Sequence, residues 1–354
     1  MGCANSSHVA PAPPSTEPTK AAQPAEPVKP CEELYSAPAP SAVAHSAAEE
    51  ESGSWCAHLQ LTPGRELGAG TSGAAFEVVN ELDGFRYCLK RVPLPDAAAG
   101  AAAKNEAALH ARLDHPGCVR YCYSWIDGAT ATPPRFCLLM ELCEGDLWSF
   151  LEGGPMIEYP DRKRWSDQLA GAIAHVHACG VVHRDVNPWN VMTCRGRGGG
   201  ALVHLKLGDF GLSIECPPGG SLSGLTSTDG AAPLDESALT SLYSAPELGS
   251  EAYGPPVDVY SLGATLYVIW AAAWRTLDGI TDDVEALRGG TLATELSSST
   301  RGGEAAGETK SAGGESQSGG LTAMAGVIDA LVAADPAARP SAAKAHRMIL
   351  SQPE

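Results

Sequence analysis

The sequence predicts a mixed α+β fold in two parts: a small antiparallel sheet carrying one helix, then a larger, mostly helical region. Three observations carry this. Residues 59–69, 74–80 and 85–92 read as strands, with turn residues at Thr71-Ser72-Gly73 and Asp83-Gly84 between them. An alanine-rich helical stretch, 97–113, precedes two more strands at 118–125 and 136–142, which completes a five-stranded sheet. From about Asp146 the period changes. Trp165, Leu169, Ile173 and Val176 recur at helical spacing, so one stripe of that helix is buried.

Short strands are expected on either side of the 183–192 stretch and at 202–207, and helices with long loops thereafter. Val259 to Trp274 carries no charge, but it is shorter than the ~20 residues that cross a bilayer. Ser261, Gly263 and Thr265 interrupt it and Asp258 and Arg275 flank it, so it reads as a buried core helix. Ahead of the folded pattern, residues 1–57 form a tether. Nine prolines fall between Pro11 and Pro40, and large apolar residues are too few to offset the entropy of ordering. The folded domain is expected over 58–350. Three segments within it read as insertions: 195–200, 214–238, and a low-complexity loop at 297–320 that holds no large apolar side chain.

The chain has 354 residues and a formal net charge of -18. That balance argues against nucleic acid, whose phosphates demand Lys and Arg. It also disfavours electrostatic adhesion to anionic lipid. The 11 cysteines include no CxxC pair, and Cys118 and Cys122 have no matching second pair, which disfavours zinc. Reduced thiols in the cytoplasm are the expectation.

Chemistry concentrates in five places. Leu67-Gly68-Ala69-Gly70-Thr71-Ser72-Gly73-Ala74-Ala75 fits G-x-G-x-x-G, in which glycines let backbone fold over phosphates. Dinucleotide-binding loops share the pattern but run from strand to helix, whereas strands are expected on both sides here. Tyr87-Cys88-Leu89-Lys90 places a lysine on the third strand, and Glu106 on the following helix is the carboxylate best placed to fix it. Val182-His183-Arg184-Asp185-Val186-Asn187-Pro188-Trp189-Asn190 is followed by Asp209-Phe210-Gly211 and then Ala245-Pro246-Glu247.

In this order the motifs resemble those of the eukaryotic protein kinases, over about Leu59 to Leu350. The resemblance implies the bilobal kinase fold, with an N-lobe at about 58–143 and a C-lobe at about 144–350. It implies ATP under the glycine loop (67–75) and Lys90 on its α- and β-phosphates. Met140 becomes the gatekeeper, the backbone of Glu141 and Cys143 meets the adenine edge, and Ala75, Cys88 and Met192 sandwich the ring. Asp185 becomes the catalytic base, and Asn190 and Asp209 the ligands of Mg2+. Arg184 would meet a phosphate on the activation segment, Glu247 would pair with Arg339, and Asp258 would brace the catalytic-loop backbone. Pro188 and the Thr240-to-Glu247 stretch resemble the serine/threonine class, which implies a protein substrate.

The chain departs from the family pattern at several positions. Asn187 stands where a lysine usually neutralises the transferring phosphoryl group, and losing such a contact commonly costs ~10²–10³ in rate. His110 occupies a usually apolar position packed toward the metal loop. Ser72 replaces an aromatic, and Leu239 a glycine. Asn187 therefore supports an alternative, a membrane-tethered pseudokinase scaffold, against which the set Lys90, Glu106, Asp185, Asn190 and Asp209 argues. A small-molecule phosphotransferase of related fold is disfavoured by the activation segment. Met1-Gly2-Cys3-Ala4-Asn5-Ser6 fits the N-myristoylation pattern, with Cys3 a palmitoylation candidate. The expectation is anchoring to the cytoplasmic face of a membrane through acylated Gly2 and Cys3. Residues 1–57 hold two lysines against seven glutamates, so a polybasic anchor is excluded.

Overall fold

The computed structural model describes residues 59–70, 73–128, 133–154, 157–195, 202–216, 222–223, 242–250, 252–272, 277–288 and 324–352. The chain divides into two units, Met1–His45 and Ser46–Glu354, and the described residues all belong to the second. The expected tether and the 297–320 loop lie outside them, as do the glycine-rich turn 196–200 and most of 214–238.

Five strands, β1 (Leu61–Gly70), β2 (Gly73–Asn80), β3 (Arg86–Pro93), β4 (Tyr121–Asp127) and β5 (Arg135–Glu141), form one antiparallel sheet in the order β1-β2-β3-β5-β4. The β2–β3 turn closes on Asn80, whose Oδ1 accepts the N–H of Leu82 at 2.8 Å, while Gly84 supplies a φ of +70°. Helix α1 (Ala97–His110) starts where Asp96 caps it, accepting the Ala99 N–H at 2.8 Å.

Past β5 come β6 (Gly145–Asp146), α2 (Leu147–Glu152), α3 (Tyr159–Ala178) and β7 (Val181–Val182). They are followed by β8 (Val191–Arg195), β9 (Val203–Leu207), β10 (Ile214–Glu215), β11 (Leu222–Ser223) and β12 (Ala252–Tyr253). Helices α4 (Pro256–Ala271), α5 (Leu277–Arg288), α6 (324–331) and α7 (Ala342–Leu350) complete the described chain. Trp165, Leu169, Ile173 and Val176 are all buried on α3, as their spacing requires, and pack with α4 and α7 into the main core. Every residue of α4 from Val257 to Ala271 is buried. Gly263 is what allows α6 to lie so close, since a Cβ there would come within 2.7 Å of Val332 Cγ1 and 2.8 Å of Leu331 Cβ. Among the described residues no helix is long and apolar enough to cross a membrane.

The fold is thus the expected one, with corrected boundaries. Helix α1 stops at His110 rather than 113, because Ala111 closes it with bonds to the Ala107 and Leu109 carbonyls. Strand β4 starts at Tyr121 rather than 118. The Val119 N–H is given instead to the Leu207 carbonyl at 2.8 Å, and Cys118 bridges to Leu207 in parallel, which stitches this segment to the helical lobe. The apolar helix runs over Pro256–Ala271 rather than 259–274, with proline at its first positions, where no N–H is missed.

Candidate active site

The glycine loop is the turn of the β1–β2 hairpin. Gly68 faces Ala75, Ala69 faces Ala74 and Gly70 faces Gly73, while Thr71 and Ser72 lie outside the described residues. A strand therefore follows the loop, as the kinase reading requires and the dinucleotide reading does not. Gly73 has a φ of +112°, and a Cβ there would sit 2.3 Å from the Arg91 carbonyl oxygen, so no other residue fits.

Sheet register then places the pocket-facing residues together. Ala75 is opposite Lys90 and Cys88 is opposite Met140, and Cys88 shares a face with Lys90 because side chains alternate along a strand. Burial pushes the Cys88 thiol up to about 11, so it stays an apolar wall. Met192 packs at Gly208, just before the metal loop. Glu141 gives its N–H to the Arg120 carbonyl at 3.0 Å, and its carboxylate accepts Lys206 Nζ at 2.5 Å. The Glu141 N–H is thus used inside the protein. Cys143 hydrogen-bonds the Cys194 thiol, which with burial raises its pKa.

Lys90 is the hub of the site. Its Nζ donates to Glu106 Oε1 at 3.1 Å and to Asp209 Oδ1 at 2.8 Å, which joins β3, α1 and the metal loop. Burial opposes the ammonium, but Asp209 and Glu106 outweigh it and hold the Lys90 pKa above its usual value. Burial also pushes Asp209 up, yet Lys90 more than offsets this and keeps that carboxyl below its usual value. Glu106 moves the other way, raised by burial with Asp209 beside it, against the pull of Lys90.

The catalytic loop is held by hydrogen bonds from every side. Asp258 on α4 accepts the backbone N–H of His183 and of Arg184, each at 2.8 Å, and bonds His177 Nε2 at 2.8 Å. Among the described residues three non-glycines have positive φ, and two of them are Arg184 (69°) and Asp209 (53°), at the heart of the site. Asp185 is gripped by two amides. Asn187 Nδ2 donates to Oδ1 at 2.8 Å and Asn190 Nδ2 to Oδ2 at 2.7 Å. Burial raises the Asp185 pKa, with Asp209 adding to it, and His183 and these donors limit the rise. Asn187 Oδ1 in turn accepts the N–H of Trp189 and of Asn190, both at 3.0 Å. The position usually held by a lysine is therefore occupied by a turn-closing amide.

Among the described residues the Asn190 side chain bonds only through its Nδ2, so its Oδ1 and the Asp209 carboxylate are hard oxygens that could meet a cation. That donor set, shared with phosphate oxygens, fits Mg2+. Among the described residues no cluster of three His, Cys, Asp or Glu side chains could hold a metal unaided. A cavity of about 720 Å³ lies behind the hinge, lined by residues such as Arg120, Lys206 and His346, and not at this constellation.

One anchor, Glu247 with Arg339, matches expectation, while Arg184, expected at a phosphate, is bound to protein groups. Arg339 Nη1 donates to Glu247 Oε1 at 2.5 Å and Nη2 to Oε2 at 3.1 Å. Arg184 donates Nε to the Leu212 carbonyl at 2.5 Å and Nη1 to the Tyr253 hydroxyl at 3.0 Å. Thr240 and most of the segment expected to carry a phosphate lie outside the described residues.

In the sequence His110 stands out only as a departure, and the structure explains it. His110 Nε2 donates to the Val119 carbonyl at 2.7 Å, and the ring packs 4.7 Å from Phe210, which also meets His183 at 5.0 Å. Burial lowers the His110 pKa to about 4, and its buried Nδ1 has no partner among the described residues. Because the folded pKa lies below the unfolded value of ~6.5, the unfolded chain binds the extra proton. Stability should therefore fall as pH drops from about 6.5 toward 4. Denaturant midpoints compared at pH 7 and pH 5 should show a loss that His110→Leu reduces.

A family model described as "Protein kinase domain" matches residues 61–349. Over 218 residues the chain is 31% identical to calcium-dependent protein kinase 9 of Oryza sativa subsp. japonica, covering 58% of this chain and 33% of that protein. It is 26% identical to serine/threonine-protein kinase 33 of Mus musculus over 215 residues, covering 59% of this chain and 41% of the relative. The interferon-induced, double-stranded RNA-activated protein kinase of Rattus norvegicus is 24% identical over 226 residues, with 57% and 39% covered. The match thus spans between a third and about two-fifths of these relatives' lengths.

Proposed function

Because this chain belongs to the protein kinase domain family, we propose that it transfers the γ-phosphoryl group of ATP to serine or threonine hydroxyls of protein substrates. The observation that carries this reading is the double ion pair of Lys90 with Glu106 and Asp209, beside a carboxylate, Asp185, gripped by two amides. In the proposed reaction Lys90 holds the α- and β-phosphates, and Glu106 keeps it in place. Asp185 orients the substrate hydroxyl and accepts its proton as the oxygen attacks the γ-phosphorus, whose bond to the β–γ bridging oxygen breaks so that ADP leaves. Asp209 and Asn190 would hold Mg2+, which when bound neutralises charge on the phosphate oxygens. The intact set also favours transfer over a scaffold that does no chemistry. Incubation with labelled ATP and a generic protein substrate, followed by phosphoamino-acid analysis, should yield phosphoserine or phosphothreonine. Label confined to phosphotyrosine would overturn the class.

We also propose a double lipid anchor at Gly2 and Cys3, supported by the pattern of residues 1–6. One myristoyl chain binds only marginally, so two signals are needed. Gly2→Ala and Cys3→Ser should each release most of the protein from membranes on cell fractionation. Salt should matter little, since the tether offers no basic run. A Gly2→Ala protein that stays on membranes would show that the anchor lies elsewhere.

A further inference from the structure

The cavity of about 720 Å³ behind the hinge draws its walls from both lobes, with Arg86 on β3, Arg120 just before β4, Arg195 on β8 and Lys206 on β9. Its charge runs against that of the chain. Those are four of the 24 Lys and Arg side chains, whereas only two of the 42 Asp and Glu, Glu141 and Asp167, line it. The exposed Arg120 gives its backbone N–H to Glu141 Oε1 at 2.7 Å, but its guanidinium has no partner among the described residues. Two histidines add donors. Gln168 Oε1 accepts the Leu205 N–H at 2.9 Å, so the amide turns its NH2 to His204 Nδ1, also at 2.9 Å. Nδ1 therefore accepts, and the proton of the neutral ring sits on Nε2. His115 is set the same way, since its Nδ1 accepts the Gly117 N–H at 3.0 Å. His115 and His346 also converge over Gly171, where an added Cβ would come within 3.8 Å of His115 Cε1 and 3.3 Å of His346 Cε1. The carboxylates already present are modest competitors. Lys206 pairs with Glu141 at 2.5 Å, but Arg195 and Arg86 meet Glu144 and Glu77 at 3.2 Å with both arginines half exposed or more, pairs of small worth.

We propose that this cavity is a binding site for a small anion bearing clustered phosphates, of the size of a polyphosphorylated polyol. The volume falls within the ~300–1,000 Å³ of ordinary ligand sites. A guanidinium meets phosphate in bidentate pairs, and ammonium and imidazole N–H groups add further charge-assisted bonds. Donors spread over β3, β8, β9 and the approach to β4 are more than one phosphate can meet at once, so the charges on the ligand must be several. Lys90 and the glycine loop take no part in this cavity, and the proposal does not need the transfer reading. A lipid headgroup could carry the same phosphates. The chain's net charge of -18 disfavours approach to an anionic bilayer, which points to a soluble ligand.

The test is calorimetric titration of the full chain with myo-inositol hexakisphosphate, beside unphosphorylated myo-inositol. The first should bind at one site and the second not at all. Arg120→Glu, an exposed change that leaves the core alone, should weaken binding by roughly tenfold or more, since it replaces a phosphate-pairing guanidinium with a like charge. Arg195→Glu should weaken it as well. Lys344→Glu makes the same charge change on the exposed side of α7, away from the cavity, and should leave affinity within about twofold. Lys90→Met should also leave it unchanged. A second arm uses neutral vesicles with and without a phosphoinositide whose headgroup carries several phosphates. No capture by either is expected. Phosphoinositide-dependent capture that Arg120→Glu abolishes would keep the site and assign it to a headgroup. Absence of binding in both arms overturns the proposal, and so does binding that Lys344→Glu weakens as much as Arg120→Glu, which would be diffuse attraction. Binding lost in Lys90→Met but kept in Arg120→Glu would move the anion under the glycine loop, and would overturn the cavity while leaving the kinase reading standing.

Discussion

Asp185→Asn is expected to lower phosphoryl-transfer turnover by ~10²–10⁴-fold, the range lost when a positioned general base is removed, while nucleotide affinity stays close to that of the unaltered protein. The reason is local. Asp185 touches neither Lys90 nor Asp209 through a hydrogen bond, so nucleotide contacts survive its neutralisation. What fails is the acceptor for the substrate proton. An asparagine would also turn an NH2 toward the amide of Asn187 or Asn190, both of which now donate to the carboxylate. The pH profile adds a second readout. Burial raises the Asp185 pKa, so turnover should fall on the acid side through a carboxyl that titrates above its ordinary range. That limb should vanish in the variant. Steady-state kinetics from pH 5 to 8 check both, and unchanged turnover would remove Asp185 from the base position.

Asn187→Lys is expected to raise turnover, by about tenfold or more, with little change in nucleotide affinity. Two effects compete. The amide makes four hydrogen bonds, two given to Asp185 and two accepted from the Trp189 and Asn190 N–H groups. A lysine can still donate but cannot accept. The Asn190 N–H keeps the Asn187 backbone carbonyl at 3.1 Å, so the orphaned donor is that of Trp189, a loss of about 1 kcal/mol. Against this, an ammonium facing a transferring phosphoryl group is worth ~10²–10³ in rate, or roughly 3–4 kcal/mol. The charge should win. The comparison to make is kcat against the KM for ATP, since a contact made only in the transition state moves the first and spares the second. A lower kcat would mean that the loop cannot keep its shape without the amide.

Much of this site was legible from sequence because its parts are set by local rules. The glycine loop needed strands on both sides, and Gly73 shows why a glycine is obligatory there. Lys90 with Glu106, Asp258 under the loop and Arg339 with Glu247 followed from motif order and are all formed. What could not be read is what depends on packing between distant elements. The Lys90–Asp209 pair joins residues 119 apart. His110 looked like a defect until its Nε2 was seen on the Val119 carbonyl and its ring on Phe210. Asn187 was read as a missing charge, and only the geometry shows the turn it closes. The start of β4 was misplaced for the same reason, since Val119 bonds across to Leu207 rather than along its own sheet.

The most direct test of the central claim, that this chain transfers phosphate with an amide where a lysine is usual, is transfer of γ-labelled phosphate from ATP to a generic protein substrate beside the Asp209→Asn variant. The account predicts measurable, magnesium-dependent transfer by the unaltered chain and its near-complete loss in Asp209→Asn, because that carboxylate carries both the Lys90 pair and the proposed metal. Equal label in the two proteins, or none in either, would contradict it.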